Sequence, residues 1–153
     1  ARLGDGFLST GGIGHDLYVK ALAAQGKPRS AGAICAGHWG IIAADPEAEA
    51  AKLAGPVLYQ TNAYIAWGAF GPPDQVPPFK DAPTAIRDGL YQLWDAEQAV
   101  AGLVAMLREY PEIIDVHFWA QFPGEPIESG SARMEYLARS VLPRVRANLA
   151  SGG

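Results

Sequence analysis

The sequence predicts an α/β fold built from parallel β-α-β units. Three stretches that read as strands, at residues 2–9, 30–45 and 113–122, alternate with stretches of helical periodicity. The middle stretch is nearly continuous in apolarity, which is typical of a parallel strand covered on both faces. Strands that alternate with helices favour right-handed parallel crossovers. We therefore expect one domain over residues 1–153, in the order β-α-β-α-loop-α-β-α.

The first helix is predicted directly after the first strand. It covers roughly residues 14–25 and follows the glycine-rich turn TGGIG. Gly26 and Pro28 lie just beyond it, where a helix commonly ends.

A second helix is predicted to start at Asp45-Pro46-Glu47. The Asp45 carboxylate suits the N-cap, and a proline is tolerated in the first turn because its missing N–H has no partner there. This helix should run into the mid-50s, break near Gly55-Pro56 and resume through VLYQTNAYIAWG.

Residues 71–83 are predicted to form a loop, because GPPDQVPPFKDAP contains five prolines and one glycine. A loop of this length in a compact domain is usually functional or mobile. Our hypothesis for this segment is a lid over a binding site.

Two further helices are predicted on either side of the third strand. Asp95 and Gln98 have the spacing of a capping box at the start of the first one. Its apolar stripe consists of Val100, Leu103, Val104 and Leu107. The second covers about residues 131–149, with a kink expected at Pro143. Its apolar face consists of Met134, Leu137, Val141, Leu142 and Val145.

The third strand alternates between two kinds of side chain. The even positions are apolar and comprise Ile114, Val116, Phe118, Ala120 and Phe122. The odd positions comprise Ile113, Asp115, His117, Trp119 and Gln121. Successive strand side chains point to opposite faces, so we expect the even set to pack on helices. The odd set then faces solvent or the inside of a barrel, and a tryptophan on that face favours the inside.

Composition argues against several classes of partner. The net charge is −4 and no Lys/Arg cluster is present, so a nucleic-acid partner is not expected. No apolar run reaches the ~20 residues of a membrane helix and no signal peptide is visible, so we expect a cytoplasmic protein with no membrane association. The single cysteine, Cys35, fits a reducing compartment and is expected to be a small buried hydrophobe.

Five segments, in order and spread over essentially the whole chain, carry a family likeness. They are ARLGDGFL at 1–8, AADPEAEA at 43–50, DAEQAVAGLVAML at 95–107, VHFWAQFPGEP at 116–126 and EYLARSVLPRVRANL at 135–149. Together they resemble the C-terminal half of luciferase-like flavin-dependent monooxygenases. That family includes oxidoreductases that use the deazaflavin F420.

The resemblance implies a (β/α)8 TIM barrel of which this chain is the C-terminal part. Strands six, seven and eight would lie at about residues 3–9, 31–43 and 113–122. Such a barrel typically needs about 250 residues, so a chain of 153 residues is expected to be incomplete. The expected partners are the missing N-terminal half or a second copy of the chain, in a homo-oligomer.

The resemblance also implies a function. The complete protein would be a flavin-dependent oxidoreductase or monooxygenase that uses FMN or F420 on a small organic substrate, and the fragment alone would be inactive. The cofactor performs the redox step in such enzymes, so no catalytic residue is assigned. One alternative is a non-catalytic flavin-binding or structural half-barrel that self-associates through open sheet edges. Another is an unrelated small α/β binding domain.

The expected cofactor-binding residues are Thr10, Gly11, Gly12, Trp119 and Gln121. The first three end a strand and precede a helix, so their backbone N–H groups either receive an anion or form a plain turn. By resemblance, Thr10 occupies the position of a phosphate-binding threonine in F420-dependent sugar-phosphate dehydrogenases. Their nearby lysine is Ile13 here, which argues against a sugar phosphate. Trp119 and Gln121 lie at the carboxyl end of a strand, where barrel active sites are found.

The histidines predict no metal site. His15, His38 and His117 lack the spacing of metal ligands. His38 and His117 lie on neighbouring strands of the expected barrel, which allows them to share its interior. A hydrogen-bonded structural role, or general acid–base catalysis by one of them, stays open.

Overall fold

The computed structural model describes residues 3–88, 91–119 and 121–151, and it confirms the α/β class. The helices and strands follow one another as β1 (Phe7–Thr10), α1 (His15–Ala24), β2 (Ile34–His38), β3 (Gly40–Ile42), α2 (Pro46–Lys52), α3 (Ala54–Ala66), α4 (Ala82–Asp88), β4 (Gln92–Trp94), α5 (Ala96–Glu109), β5 (Ile113–Phe118), α6 (Ile127–Tyr136) and α7 (Leu142–Ala150). A 3-10 turn at Arg29–Ala31 precedes β2, and a π-helical turn at Leu137–Val141 joins α6 to α7.

The strand pairings among the described residues are parallel, as expected. β2 lies between β1 and β5 in a three-stranded sheet, while β3 pairs with β4. The predicted strand at 30–45 corresponds to β2 and β3, which Trp39 alone separates. The first strand starts later than predicted, at Phe7, and the third ends earlier, at Phe118. Ala120 of the predicted third strand lies outside the described residues.

One face of the three-stranded sheet packs against helices. Leu22 of α1 lies in a buried cluster with Ile34 and Ala36 of β2. A neighbouring core joins α5 and α7, with Val116 and Phe118 of β5 packed against it. Its buried residues are Ile42, Ala99, Val100, Leu103, Val104, Val141 and Val145. Val116 and Phe118 therefore point toward helices, as predicted.

A β-bulge at the start of β5 interrupts the predicted alternation. Ile34 pairs with Ile113, but the next residue, Cys35, pairs with Asp115. Ile114 is thus skipped by the register, and it is 73% exposed while Ile113 packs toward the helices. The prediction is wrong for these two isoleucines, because an extra residue in one strand breaks the period of two.

The second predicted helix divides at Leu53 rather than at Gly55-Pro56. α2 has Asp45 as its N-cap, and the carboxylate accepts a backbone hydrogen bond at 3.0 Å. α3 begins at Ala54, so Gly55 and Pro56 lie in its first turn. A proline there removes no intrahelical hydrogen bond, which is why it does not end the helix.

Two short elements, α4 and β4, are absent from the prediction. α4 follows Asp81, whose carboxylate accepts a hydrogen bond from the Thr84 N–H at 2.8 Å. β4 has three residues and pairs with β3, with Leu93 opposite Ile41. Segments this short carry little periodicity. The proline-rich loop consequently ends at Asp81, and the last two predicted loop residues belong to α4.

α5 confirms the predicted capping box. The Asp95 carboxylate accepts from the Gln98 N–H at 2.8 Å, and the Gln98 side chain accepts from the Asp95 N–H at 3.0 Å. The predicted stripe packs into the core shared with α7, through Val100, Leu103, Val104 and Leu107.

The last helix begins earlier than predicted and is interrupted. α6 starts at Ile127, and the π-helical turn ends two residues before Pro143. Pro143 has no N–H to donate to the preceding turn, and a widened turn accommodates that loss. Met134 is 49% exposed, contrary to prediction, because α6 buries Gly130 and Arg133 instead.

Among the described residues, no helix combines the length and the apolarity needed to cross a membrane.

Candidate functional site

The face of the three-stranded sheet opposite α1 carries polar and aromatic residues, and we call it the second face. Its residues are Thr10, Cys35, Gly37, Asp115 and His117, with Leu8 at its β1 edge and with Trp39 and Trp119 directly after β2 and β5. The parallel register pairs Cys35 with Asp115, and it pairs Gly37 with both Thr10 and His117. The odd residues of β5 after the bulge therefore share the face that the sequence predicts for them.

A cavity of about 590 Å³ lies at the carboxyl end of these strands. Four of its lining residues are aromatic, namely Trp39, Tyr64, Phe70 and Trp119, and the others are Thr10, Ile13 and Ala69. This volume is in the range of small-molecule and cofactor sites, roughly 300–1,000 Å³. Thr10 and Trp119, both predicted to contact a cofactor, lie in the same cavity.

Trp39 contacts the other three aromatic side chains of the cavity lining. Its ring centroid lies 5.1 Å from that of Tyr64, 6.2 Å from Phe70 and 6.1 Å from Trp119. Trp39 is also buried in a core formed with α2 and α3, which fixes its position. Its indole N–H has no hydrogen-bond partner among the described residues. A buried donor without a partner costs about 1–3 kcal/mol, which the packing of Trp39 has to offset.

Gly37 keeps space open between β1 and β5. A Cβ at this position would lie 2.8 Å from His117 Nε2 and 2.9 Å from Thr10 Oγ1. It would also lie 3.0 Å from the carbonyl oxygen of Ser9, which cannot move independently of β1. The missing side chain therefore lets Thr10 and His117 come close on either side of β2.

Backbone N–H groups in and after the glycine-rich turn that follows β1 already donate to carbonyl groups of the turn or of β2. Gly11 and Gly12 have φ angles of 63° and 75°, which glycine adopts without strain. The Gly11 N–H donates to the Gly37 carbonyl at 2.9 Å, and the His15 N–H donates to the Gly12 carbonyl at 3.3 Å. Asp16 lies in the first turn of α1, where its charge competes with any anion. These contacts favour the plain-turn alternative over anion binding.

Cys35, Asp115 and His117 form a polar cluster beside the cavity. The Cys35 thiol donates to Asp115 Oδ2 at 3.2 Å and lies 3.6 Å from His117 Nδ1. The hydrogen bond to Asp115, with some loss of hydration, raises the pKa of the Cys35 thiol, so it is a weak nucleophile at neutral pH. The His117 ring lies 6.2 Å from the Trp119 ring, next to the cavity. The expectation that Cys35 is a buried apolar residue is wrong, because its thiol meets polar groups on a half-buried face.

His38 lies on the helix face and does not share an interior with His117. The register pairs His38 with Phe118, one residue beyond His117, so the strand pleat turns the two histidines to opposite sides. The His38 ring packs 4.5 Å from Trp94 and 5.5 Å from Phe118, measured between centroids. Burial lowers the pKa of His38 to about 4. This histidine is therefore neutral at pH 7.

His15 is buried at the start of α1, between the rings of Phe7 and Tyr110. Neither ring nitrogen has a hydrogen-bond partner among the described residues. Burial lowers the pKa of His15, and nearby Asp16 partly opposes that shift. The position suits packing and does not border the aromatic cavity.

Gln121 lies in the turn after β5, outside the aromatic cavity. Its amide donates to the Glu125 carbonyl at 3.4 Å. The Glu125 carboxylate accepts from the Phe122 N–H at 2.6 Å and pairs with Arg133. Arg133 also contacts Glu49 of α2 at 2.9 Å, which ties this turn to two helices. A charged residue in a helical pattern gives no sequence signal that it will be buried, so this group was not predicted.

The structure thus brings Thr10, Gly11 and Trp119 together around Trp39, since Gly11 borders an adjacent cavity of about 160 Å³ that Trp39 also lines. Gly12 and Gln121 line neither cavity. No protein-family model matches the chain, and no curated protein sequence is significantly similar to it.

Proposed function

We propose that the chain is the C-terminal part of a luciferase-like flavin-dependent oxidoreductase, with β1, β2 and β5 as three neighbouring strands of a (β/α)8 barrel. The enzyme acts on a small organic substrate with FMN or F420. It works in the cytoplasm, where a thiol such as Cys35 stays reduced. One observation carries the proposal: Thr10, the last residue of β1, and Trp119, directly after β5, line one aromatic cavity at the carboxyl end of the sheet.

The cavity lining suits a flat conjugated ring. Tyr64, Phe70 and the two tryptophans supply faces and edges against which such a ring packs in offset or edge-on geometry. The reduced flavin or deazaflavin supplies the electrons when it is bound. The residues of this chain hold the ring in place and keep water away from it.

The phosphate-bearing tail of the cofactor finds no counterpart in this cavity. Its described lining contains no lysine or arginine, and the Gly11 N–H is already bonded to Gly37. The proposal therefore assigns the tail to the N-terminal half of the barrel or to a second copy. β1 and β5 are the edges of the described sheet, and Leu8 on β1 is 69% exposed. That edge is the surface such a partner would cover.

The residues at the entrance of the cavity indicate which kind of substrate it would accept. Ile13 is exposed at the lining and offers no charge, which favours an apolar or uncharged substrate. Phe70, also in the lining, leads directly into the proline-rich loop. Asn62 anchors the far part of that loop through two hydrogen bonds to the backbone of Phe79, at 2.8 and 3.0 Å. In the proposal, the segment between Phe70 and Phe79 is the lid.

Riboflavin tests the ring-binding step without a phosphate. Adding the chain should quench riboflavin fluorescence, because the ring stacks on indole and phenol groups. Trp119→Ala should weaken binding about tenfold, since an aromatic contact is worth roughly 0.5–1.5 kcal/mol beyond its buried area. Tyr59→Ala is the control, because Tyr59 is an exposed aromatic residue outside the lining.

FMN and F420 are then titrated in the same way to choose between the two cofactors. Tighter binding of one of them identifies the cofactor. The proposal is overturned if none of the three compounds binds, or if Tyr59→Ala weakens binding as much as Trp119→Ala does.

A structural alternative is supported by the exposed apolar side chains of the two edge strands, Leu8 and Ile114. In this case the chain is a non-catalytic half-barrel that self-associates through those edges. It would then form a stable oligomer in dilute solution and would leave riboflavin fluorescence unchanged.

A further inference from the structure

We propose that Cys35, Asp115 and His117 form a zinc-binding site on the second face. They offer a thiolate, a carboxylate oxygen and an imidazole nitrogen, and these ligand atoms all lie within 4.8 Å of one another. None of the three lines the aromatic cavity, so the site does not depend on the proposed redox function. The spacing of the histidines in the sequence does not indicate this site, because His117 is its only histidine. Cys35 is distant from His117 in the sequence and lies next to it only because β2 pairs with β5.

The separations of the ligand atoms are close to those around tetrahedral zinc. Bonds of about 2.3 Å to sulfur and about 2.0–2.1 Å to nitrogen or oxygen place ligand atoms roughly 3.3–3.6 Å apart. Cys35 Sγ lies 3.2 Å from Asp115 Oδ2 and 3.6 Å from His117 Nδ1. Asp115 is exposed, so rotation of its carboxylate brings the remaining oxygen–nitrogen separation into range.

The backbone of the sheet brings these residues together. The bulge at Ile114 puts Asp115 opposite Cys35, whereas an uninterrupted register would pair Cys35 with Ile114 and turn Asp115 toward the helices. Gly37 lies opposite His117 and has no side chain to displace the imidazole. Bulges commonly re-aim side chains next to functional sites, and this one completes the ligand set.

The ligand types select zinc over harder cations. Magnesium and calcium take oxygen ligands, whereas a thiolate and an imidazole suit zinc. Three protein ligands leave a fourth position for water or a substrate atom, as in catalytic zinc sites. A nucleophilic cysteine is the competing role for the cluster. The Asp115 carboxylate opposes formation of a free thiolate, whereas a dication stabilises both anions at once.

Cobalt(II) gives a direct test on the wild-type chain, which should carry no histidine tag. Bound Co²⁺ should produce thiolate-to-cobalt charge-transfer absorption and the intense visible bands of a tetrahedral ion. Zn²⁺ should then bleach both by displacing the cobalt. A cobalt spectrum without the thiolate band would overturn the proposal, and this result does not depend on any variant folding correctly.

Single substitutions test each ligand through Zn²⁺ competition. Cys35→Ser, Asp115→Asn and His117→Gln keep the size of each side chain, and each should weaken Zn²⁺ binding more than tenfold. Loss of an outer-shell partner alone typically costs 10–100-fold, and a direct ligand should cost at least as much. Asp74→Asn, an exposed carboxylate in the proline-rich loop, is the matched control and should leave the affinity unchanged. A loss below tenfold in any of the three ligand variants overturns the assignment.

Discussion

The two faces of β2 differ in what their side chains do, although their residues alternate along one short strand. On the helix face, Ile34 and Ala36 are buried against α1 and contribute to folding. On the second face, Cys35 contacts a carboxylate and an imidazole, and Trp39, directly after the strand, lines a cavity. The comparison shows how a strand can separate stability from binding. A substitution on one face should affect folding, and its neighbour on the other face should affect ligands.

Truncating one buried and one exposed isoleucine of the sheet should give the largest contrast. Ile34→Ala removes a side chain that is 0% exposed, and it should lower the free energy of unfolding by about 2–5 kcal/mol through lost burial and a new cavity. Ile114→Ala, on the exposed bulge, should stay within about 0.5 kcal/mol of the wild type. Urea denaturation measures both. Equal effects of the two substitutions would show that burial on the helix face does not carry the stability of the sheet.

A second contrast comes from pH. Burial lowers the pKa of His38 from its ordinary 6.5 to about 4, so between these values the unfolded chain binds a proton that the folded chain excludes. The free energy of unfolding should therefore fall as the pH drops from 6.5 toward 4, by up to about 3 kcal/mol. His38→Gln should remove this part of the slope. The difference between the two unfolding curves isolates His38 from the carboxylates that also titrate there, and parallel curves would contradict the assignment.

The smallest expected change lies on the exposed edge of the second face. Leu8→Ser should alter the free energy of unfolding by no more than about 0.5 kcal/mol, because the side chain is 69% exposed. Its effect on association is the informative readout. Sedimentation at several concentrations should show weaker self-association if the open edge pairs with a second copy. Unchanged association would place the contact between copies elsewhere.

The sequence predicts those parts of the fold that depend on contacts between residues close together in the chain. Asp95 and Gln98 form the expected capping box because both partners lie within one helical turn. Asp45 caps α2 for the same reason. The break after Lys52 was harder to place, since proline is a strong signal in a helix interior and no obstacle in a first turn.

The remaining features depend on contacts between distant segments. The bulge at Ile114 exists only relative to β2, so no pattern within β5 reveals it. Cys35 looks like any small core residue until Asp115 is placed opposite. For Trp39 a signal was available, because it lies two positions after Gly37 and therefore on the same face. The expected cofactor-binding residues include Thr10 and Trp119 but not Trp39, which lines the same cavity.

The central position of β2 also affects when the strand can complete its pairing during synthesis of the chain. Ile34 needs Ile113 as its partner on one side, and the chain between them has to be synthesised first. At ribosomal rates of about 5–20 residues per second, that takes roughly 4–16 s. During this interval β2 has only β1 to pair with, and its other edge is open to any strand that comes near. The order of strands in the sheet therefore sets a period of exposure that a sheet of sequential hairpins would avoid.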